Sequence, residues 1–487
     1  VPRIELNFAD GFYVSRSGPL LDKRVVNLHP VIPEASAATR RALLHTPGIG
    51  EIANVSTIKS RGVLVFSDGK PFRIIGTALY SFSDNGTAKN HGNISGSDDV
   101  SIASNGINIA IVDPTGNSYF FTPSTNTLEI IADSVFGSFG KAKTVTFKDG
   151  FYVFTTDLIF FTGSSKEVND GKNFNALDFE DAEISPDRIV KGFNDHNQLY
   201  ILGETTTEVY RTIVTTGFPM QRIPGAMIPK GCAAPNSVIS FDKTFLFLGG
   251  GENEKPGIYQ AVGSSVQKIS TSSIDNLIHA YAEDVISKTR AFSYAENGNY
   301  FAVFTVGDNT FVYDSATSKL SGKPEWHERQ TGISNGLGFM KWRAIHGAKA
   351  YGNITVGDDR SGKVGKLDTN VFTEYGTLIE KFFTTKPFVE LLEYIFSHRI
   401  DLFMRTGEGT TEIEDPRLRM DYSDNGGRSF KSELSRSMGD TGEYDINVSW
   451  SRLGKIPHSR VLRFKTTASI PADFYGLFAN AESTDSG

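Results

Sequence analysis

With 487 residues and a net charge of −7 (Lys+Arg 49 against Asp+Glu 56), the chain has room for about two to four domains and is too acidic to coat nucleic acid by neutralising phosphates. That balance still permits nucleic acid to slide past without sticking. Gly 48, Phe 36 and Tyr 17, with few helical periods, point to an all-β protein. The one cysteine, Cys232, excludes an intramolecular disulfide framework, and no run of about 18 apolar residues exists to span a membrane as a helix.

Residues 1–50 are rich in proline, at positions 2, 19, 30, 33 and 47. They predict an extended N-terminal arm with one or two short strands, lying on a larger body. A short helix is expected over 35–44, ended by Thr46-Pro47-Gly48. No basic stretch followed by an apolar one opens the chain given, so no signal peptide is expected in it.

From 51 to 375 a strand–turn–strand unit recurs. Its clearest copy is 299–314, where aromatic and β-branched arms flank Gly307-Asp308-Asn309. First arms lie at 62–66, 107–112, 151–154, 198–202, 244–248, 300–304 and 351–356. Second arms follow at 77–80, 117–121, 158–161, 207–210, 257–260, 310–313 and 365–368. Several copies carry a further strand in front, at 100–106, 144–150 and 291–298. A spacing of roughly 40–55 residues suits four-stranded propeller blades. The expected fold is a β-propeller of seven blades, with six as the alternative count and a pair of β-sandwiches as the competing architecture.

One connector, 215–231, breaks the rhythm. Pro219, Pro224 and Pro229 leave little room for a regular ladder. Phe218, Met220, Ile223, Met227 and Ile228 are too apolar for a solvated loop. They either line the underside of the propeller or form a contact surface for another subunit. Phe218, Met220, Arg222, Met227 and Lys230 are the interface candidates of this stretch.

After 375 the rhythm stops. Alternating runs at 400–404, 416–422, 444–450, 460–465 and 473–478 suit an antiparallel β-sandwich-like domain over 376–487, with a frayed tail. Residues 388–396 read as a helical turn or a strand. Arg452, Lys455, Arg460, Arg463 and Lys465 form a basic run without an intervening carboxylate. A solvated face balanced by Asp440, Glu443 and Asp445 explains it; a partner-binding patch with Arg452, Lys455 and Arg460 is the alternative.

Motifs for chemistry are sparse. The nine histidines are scattered, with no paired metal-ligand spacing, and there is no nucleophile elbow or phosphate loop. No catalytic, cofactor or metal residues are assigned. Cys232 reads as a small packing residue. Gly249-Gly-Gly251 reads as a loose hairpin turn, and Asp98-Asp99 and the 357–362 stretch as solvated turns. Residues 423–430 (Ser-Asp-Asn-Gly-Gly-Arg-Ser-Phe) resemble a single Asp-box hairpin. A glycan-active propeller enzyme, sialidase or lyase like, is therefore the alternative function.

Three longer blocks carry a family resemblance. The first is 10–17 (Asp-Gly-Phe-Tyr-Val-Ser-Arg-Ser) with 26–30 and 46–49. The second is the connector, from Glu208-Val-Tyr210 through Phe218-Pro219, Arg222-Ile223 and Gly225-Ala226 to 230–234. The third is Trp326-His-Glu-Arg329. The C-terminal part matches more loosely, at Asp-Tyr-Ser-Asp-Asn-Gly-Gly from 421 and at 450–454. On these blocks the chain resembles the packaged-DNA stabilization proteins, or tail-hub and head-closure proteins, of short-tailed bacteriophages. The resemblance implies a non-enzymatic virion protein of the tail, assembled in the host cytoplasm. It implies a homohexamer below a portal–adaptor ring that retains packaged double-stranded DNA without sequence-specific binding. A tail needle and tailspikes or tail fibres are the other implied partners.

Overall fold

The computed structural model describes residues 3–13, 23–33, 41–164, 172–181, 187–214, 217–334, 340–389, 394–409, 415–456 and 459–484. Among them, seven antiparallel sheets follow one another as propeller blades. Blades one to four are built from 60–93, 101–130, 144–181 and 189–222. Blade five spans 231–268, and blade six spans 290–328. Blade seven has three strands of its own, Ala344–Ala350, Asn353–Asp358 and Lys363–Asp368. Its fourth is Gly48–Asn54, from the other end of the chain, with Asn54 opposite Lys363 and Gly48 opposite Asp368. First strands of neighbouring blades face one another around the axis, including that of blade seven against that of blade one. The ring is thus closed by a strand that precedes all seven blades in sequence, which removes the open ends of the array.

The hairpin of blade six shows why these strands form. Asn299–Val306 pairs with Asn309–Asp314. Ala302, Phe304 and Val306 enter the core shared with blade five, while Phe301 and Val303 enter the core shared with blade seven. Both faces are buried, so the strand reads as a continuous apolar run rather than an alternating one. Gly307 turns the chain at φ +55°, and a Cβ there would lie 2.4 Å from the Tyr281 ring. The Tyr281 hydroxyl accepts from Asp308 N (3.0 Å) and Asn309 Nδ2 (2.7 Å).

Six of the seven expected hairpins fall on the second and third strands of their blades. Blade one departs. Its 62–66 run lies on the first strand, Ser60–Val65, and the second strand is Pro71–Ile75. Proline is tolerated there because it opens the strand. Arg73 is fully buried, donating to Thr355 O and Oγ1 and to His346 O, which ties blade one to blade seven. Gly249 and Gly250 are strand rather than loose turn, within Thr244–Gly250. Gly249 is required because strand Gly231–Cys232 crosses close by: a Cβ would sit 1.8 Å from Gly231 O.

Two sheets face each other in the C-terminal unit. One runs in the order Leu28–Val31, Ala42–His45, Phe474–Thr484, Tyr394–Met404, Val448–Ile456, with Arg3–Glu5 also paired to Phe474–Thr484. The other contains Val25–Val26, Lys381–Thr384, Ser459–Thr466, Arg417–Ser423 and Lys431–Ser437. Residues before the propeller therefore complete both layers of a sandwich that follows it. Their shared core holds Leu6, Phe8, Val25, Leu28 and Leu43 against Trp450, Phe464, Phe474 and Leu477. The helix expected over 35–44 is corrected at its end, where Ala42–His45 is strand; 35–40 lie outside the described residues. Of the 388–396 stretch, Phe388–Val389 and the start of Tyr394–Met404 are strand.

Propeller and sandwich are also joined by hydrogen bonds. Val25–Val26 pairs parallel with blade six through Glu328 and antiparallel with Phe382 and Phe383. The fourth strand of blade six and the second sheet of the sandwich thus form one continuous sheet.

Candidate functional site

The connector is only partly a surface. Met220 is buried, on the short strand Met220–Arg222 that closes blade four. Phe218 packs edge-on against Phe160 at 5.5 Å, beside a core of Val153, Tyr210 and Met220. Ile228 is buried and bridges Thr207. Met220 is therefore corrected from interface to core, because its strand needs an apolar lid against blade three. Arg222 and Met227 are exposed, and Arg222 approaches Glu208 at 3.8 Å. Lys230 is held by Glu254 at 2.6 Å, across the connection to blade five.

In the C-terminal unit the basic run is divided. Arg460 is buried: it forms an ion pair with Asp424 (2.7 Å), donates to Leu453 O (2.6 Å) and stacks on the Tyr422 ring. Arg463 and Lys465 are buried against Asp421, at 2.6 and 3.2 Å. The balancing carboxylates are therefore Asp421 and Asp424, from the adjacent strand and its turn, with Glu433 from the strand beyond, and not Asp440, Glu443 and Asp445. Arg460 is corrected from contact residue to structural cation. Arg452 and Lys455 are exposed. The Asp-box-like turn is a scaffold: Ser423 Oγ accepts from Gly427 N (2.9 Å) and Asn425 Oδ1 from Ser429 N (3.0 Å).

The first and third sequence blocks, some 300 positions apart, meet at the propeller–sandwich junction. Gly11 N donates to Glu325 Oε2 (3.0 Å), and Phe12 N to Trp326 O (2.6 Å). Asp10 is bridged by Lys23 (2.5 Å), Arg41 (2.9 Å) and Lys386 (3.1 Å). Burial opposes its charge, but Lys23 and Lys386 hold its carboxyl well below the usual carboxylate range. Arg24 makes a two-pronged contact with Glu328, at 2.9 and 2.8 Å. Asn27, in the left-handed region at φ +54°, donates to Gln330 O and Glu380 O. Arg329 stacks on Trp342 at 3.9 Å and donates to Pro47 O (2.8 Å).

The same junction holds two histidines, the fully buried His327 and the half-buried His29. His29 and His327 lie 6.0 Å apart between ring centroids, and neither His327 nitrogen has a hydrogen-bond partner. His29 lines a cavity of about 380 Å³ with His45, Glu296 and Asp473. Burial, then the charges of His45 and Arg329, pushes His29 down to about 4 against the opposing charge of Asp473. Burial, with His29 and Arg329, pushes His327 well below its ordinary value. Both folded values lie below the unfolded one of 6.5, so the unfolded chain binds more protons in that window. The resulting stability is full above about pH 6.5 and is lost as pH falls toward about 4. His29 alone accounts for up to about 3 kcal/mol. The denaturation midpoint is expected to fall steeply from pH 7 to pH 4 in the parent, and less in His29→Gln with His327→Gln; parallel profiles would contradict the assignment.

A cavity of about 750 Å³ opens at one mouth of the propeller axis, lined by residues from blades two to five. Beside it, Arg290 of blade six pairs with Asp99, ahead of blade two, and with Asp359 of blade seven (2.8 Å). Lys341 pairs with Asp359 (2.5 Å), and Arg343 with the fully buried Asp358 (2.6 Å). The reading of 98–99 and 357–362 is corrected in part: Asp98 is an exposed bend residue, but Gly357 and Asp358 belong to a strand. Arg290 joins Asp99 and Asp359 between blades, and Asp358 is paired with Arg343 within blade seven, so these three carboxylates are ion-paired and not simply solvated. Sequence reasoning missed Arg290 and Arg73, whose partners are remote in the chain, and Arg343, whose partner lies 15 positions on. Cys232 is buried and its thiol donates to Ala234 O (3.1 Å), while burial pushes the thiol pKa up. No cluster of three or more His, Cys, Asp or Glu side chains able to hold a metal occurs among the described residues.

No curated protein shows significant sequence similarity to the chain. Among solved structures, the extracellular domain of a hybrid two-component system from B. thetaiotaomicron aligns at a TM-score of 0.43 and 10% identity. That alignment covers 74% of this chain and 45% of the other, so the chain spans under half the length of that protein. The WD40 β-propeller domain of Doa1 aligns at 0.39 with 12% identity, over 66% of this chain and 97% of the other. YCF48 bound to D1 peptide aligns at 0.40 with 10% identity, over 66% and 99%. Family comparison is decisive. Residues 4–372 match the β-propeller of bacteriophage P22 Gp10, and residues 382–482 match its β-sandwich. The chain belongs to the bacteriophage P22 Gp10 family, the tail-hub proteins that stabilise packaged DNA.

Proposed function

We propose that the chain acts as a structural hub of a short phage tail, forming a homohexameric ring below the portal and its adaptor. There it closes the channel, retains the packaged DNA, and carries the tail needle and tailspikes or fibres. Assembly takes place in the host cytoplasm. The observation that carries this reading is the family match through both domains, over nearly the whole chain. A rigid disc with a hydrogen-bonded sandwich supports it, since such a unit presents wide, fixed surfaces for contacts. Net charge supports it too: a ring of copies each at −7 discourages DNA from adhering to the wall. The exposed Arg222, Met227, Arg452 and Lys455, with Lys230 at the blade edge, are the proposed contact residues.

Purified chain mixed with a portal–adaptor complex is expected to give sixfold rings in electron micrographs. A chain that stays monomeric on that complex would refute the hub reading. Met227→Asp should abolish ring formation with the melting temperature unchanged. Phe218→Ala should instead lower stability by about 2 kcal/mol, because it empties a half-buried aromatic site.

A further inference from the structure

We propose that the axial cavity of the propeller is a binding site for a small oxyanion, of the carboxylate or phosphate class, built around the ammonium of Lys191. Lys191 lies on the first strand of blade four, Ile189–Asp195. It lines both the 750 Å³ cavity at the mouth and the cavity of about 290 Å³ behind it, so it stands at the neck between them. The rest of that neck is Val100, Ile102, Phe193 and Asn236. An ammonium carries three donors and needs acceptors or a counter-charge when it leaves bulk water. Lys191 has one hydrogen-bond acceptor, Pro235 O at 2.7 Å, and its ammonium lies over the Phe193 ring, 5.9 Å from the centroid. Among the described residues no carboxylate pairs with it.

The more deeply buried lysines of this molecule are all given partners. Lys23 has Asp10, Lys148 has Asp149 and Asn197, Lys465 has Asp421 and Glu433, and Lys381 donates to two carbonyls. Lys191 is half-buried, and its ammonium faces open volume instead of a carboxylate. Burial pushes it down to about 8, which leaves it mostly charged at neutral pH. Asn236 supplies an amide donor on the same neck. The cavity rim is mixed in sign: Lys143 pairs with Asp157, Asp99 with Arg290 and Glu254 with Lys230, and Arg188, Glu204 and Glu283 are exposed there. The rim therefore passes polar ligands of either sign, and the cation at the neck selects the anionic end. The volume admits a free anion, or the acidic side chain or carboxyl terminus of a peptide entering along the axis.

Isothermal titration of the full chain with inorganic phosphate and with an Asp-rich hexapeptide tests the site. Binding of either probe is expected, lost in Lys191→Met and kept in Lys191→Arg. It should also weaken at least tenfold as pH rises well above 8. Phosphate binding alone assigns a free anion, peptide binding alone a partner segment, and binding of both the shared chemistry. Lys191→Met removes a half-buried charge and should keep the parent melting temperature in chloride. Absence of binding by both probes, or binding that survives in Lys191→Met, overturns the proposal.

Discussion

Removing residues 1–54 is expected to unfold the whole molecule rather than trim an arm from it. The sandwich would lose Leu6, Phe8, Val25, Leu28 and Leu43 from its core, together with the strands that carry them. Each such side chain contributes roughly 1.5–3 kcal/mol when fully buried, and whole domains are stable by only about 5–15 kcal/mol. The propeller would lose the fourth strand of blade seven, and with it the buried Ile49. A chain starting at Val55 should show no cooperative thermal transition and should bind dyes that report exposed apolar surface. A graded outcome is expected for removal of residues 1–45 alone. The closing strand then remains, so a propeller transition persists while the sandwich transition disappears. A cooperative sandwich transition in either truncated chain would show that the N-terminal strands are dispensable.

Replacing Asp421 by alanine is the point substitution with the largest expected cost. Its carboxylate sits on Arg417–Ser423 and faces Arg463 and Lys465 on the paired strand Ser459–Thr466. All three side chains are buried. Arg463 uses both prongs of its guanidinium, Nε at 2.9 Å and Nη2 at 2.6 Å. Truncating the acid removes the carboxylate that both cations share, and removing one partner of a buried pair costs about 3–5 kcal/mol. The sandwich should melt many degrees lower in Asp421→Ala. Asp421→Leu combined with Arg463→Met should recover most of the loss, since a packed apolar pair avoids the desolvation cost. If the double variant is no better than the single one, the penalty arises from backbone disruption and not from unpaired charge.

The propeller was legible from sequence because each blade is local. Strands two and three of a blade lie next to each other in the chain, joined by turns such as Gly307-Asp308-Asn309. Period, turn chemistry and aromatic content therefore speak for the same hairpin. Blade one was displaced because Pro71 and Arg73 argue against a strand, and only the acceptors on blade seven make Arg73 acceptable there. The closing strand was hidden for a different reason: Gly48–Asn54 pairs with residues more than 300 positions away, and its sequence carries no mark of that partner. Distance also concealed the contact between the N-terminal strands and Phe474–Thr484. Among the candidate contact residues, composition alone could not separate Met220 from Met227, or Arg460 from Arg452. One member of each pair is core and the other surface, a matter of where the backbone places each residue rather than of residue type. The resemblance blocks of the N-terminal segment and of 326–329 proved to be two halves of one junction.

The continuous sheet through Val25–Val26 has a mechanical consequence. A flexible tether would let the sandwich swing under load and dissipate a pull as bending. Here the pull reaches blade six through ladder hydrogen bonds on both sides of a two-residue strand. From blade six, Arg290 carries it across the axis to Asp99 and Asp359. A torque applied to the sandwich is therefore shared around the disc, and the two domains turn as one stiff lever.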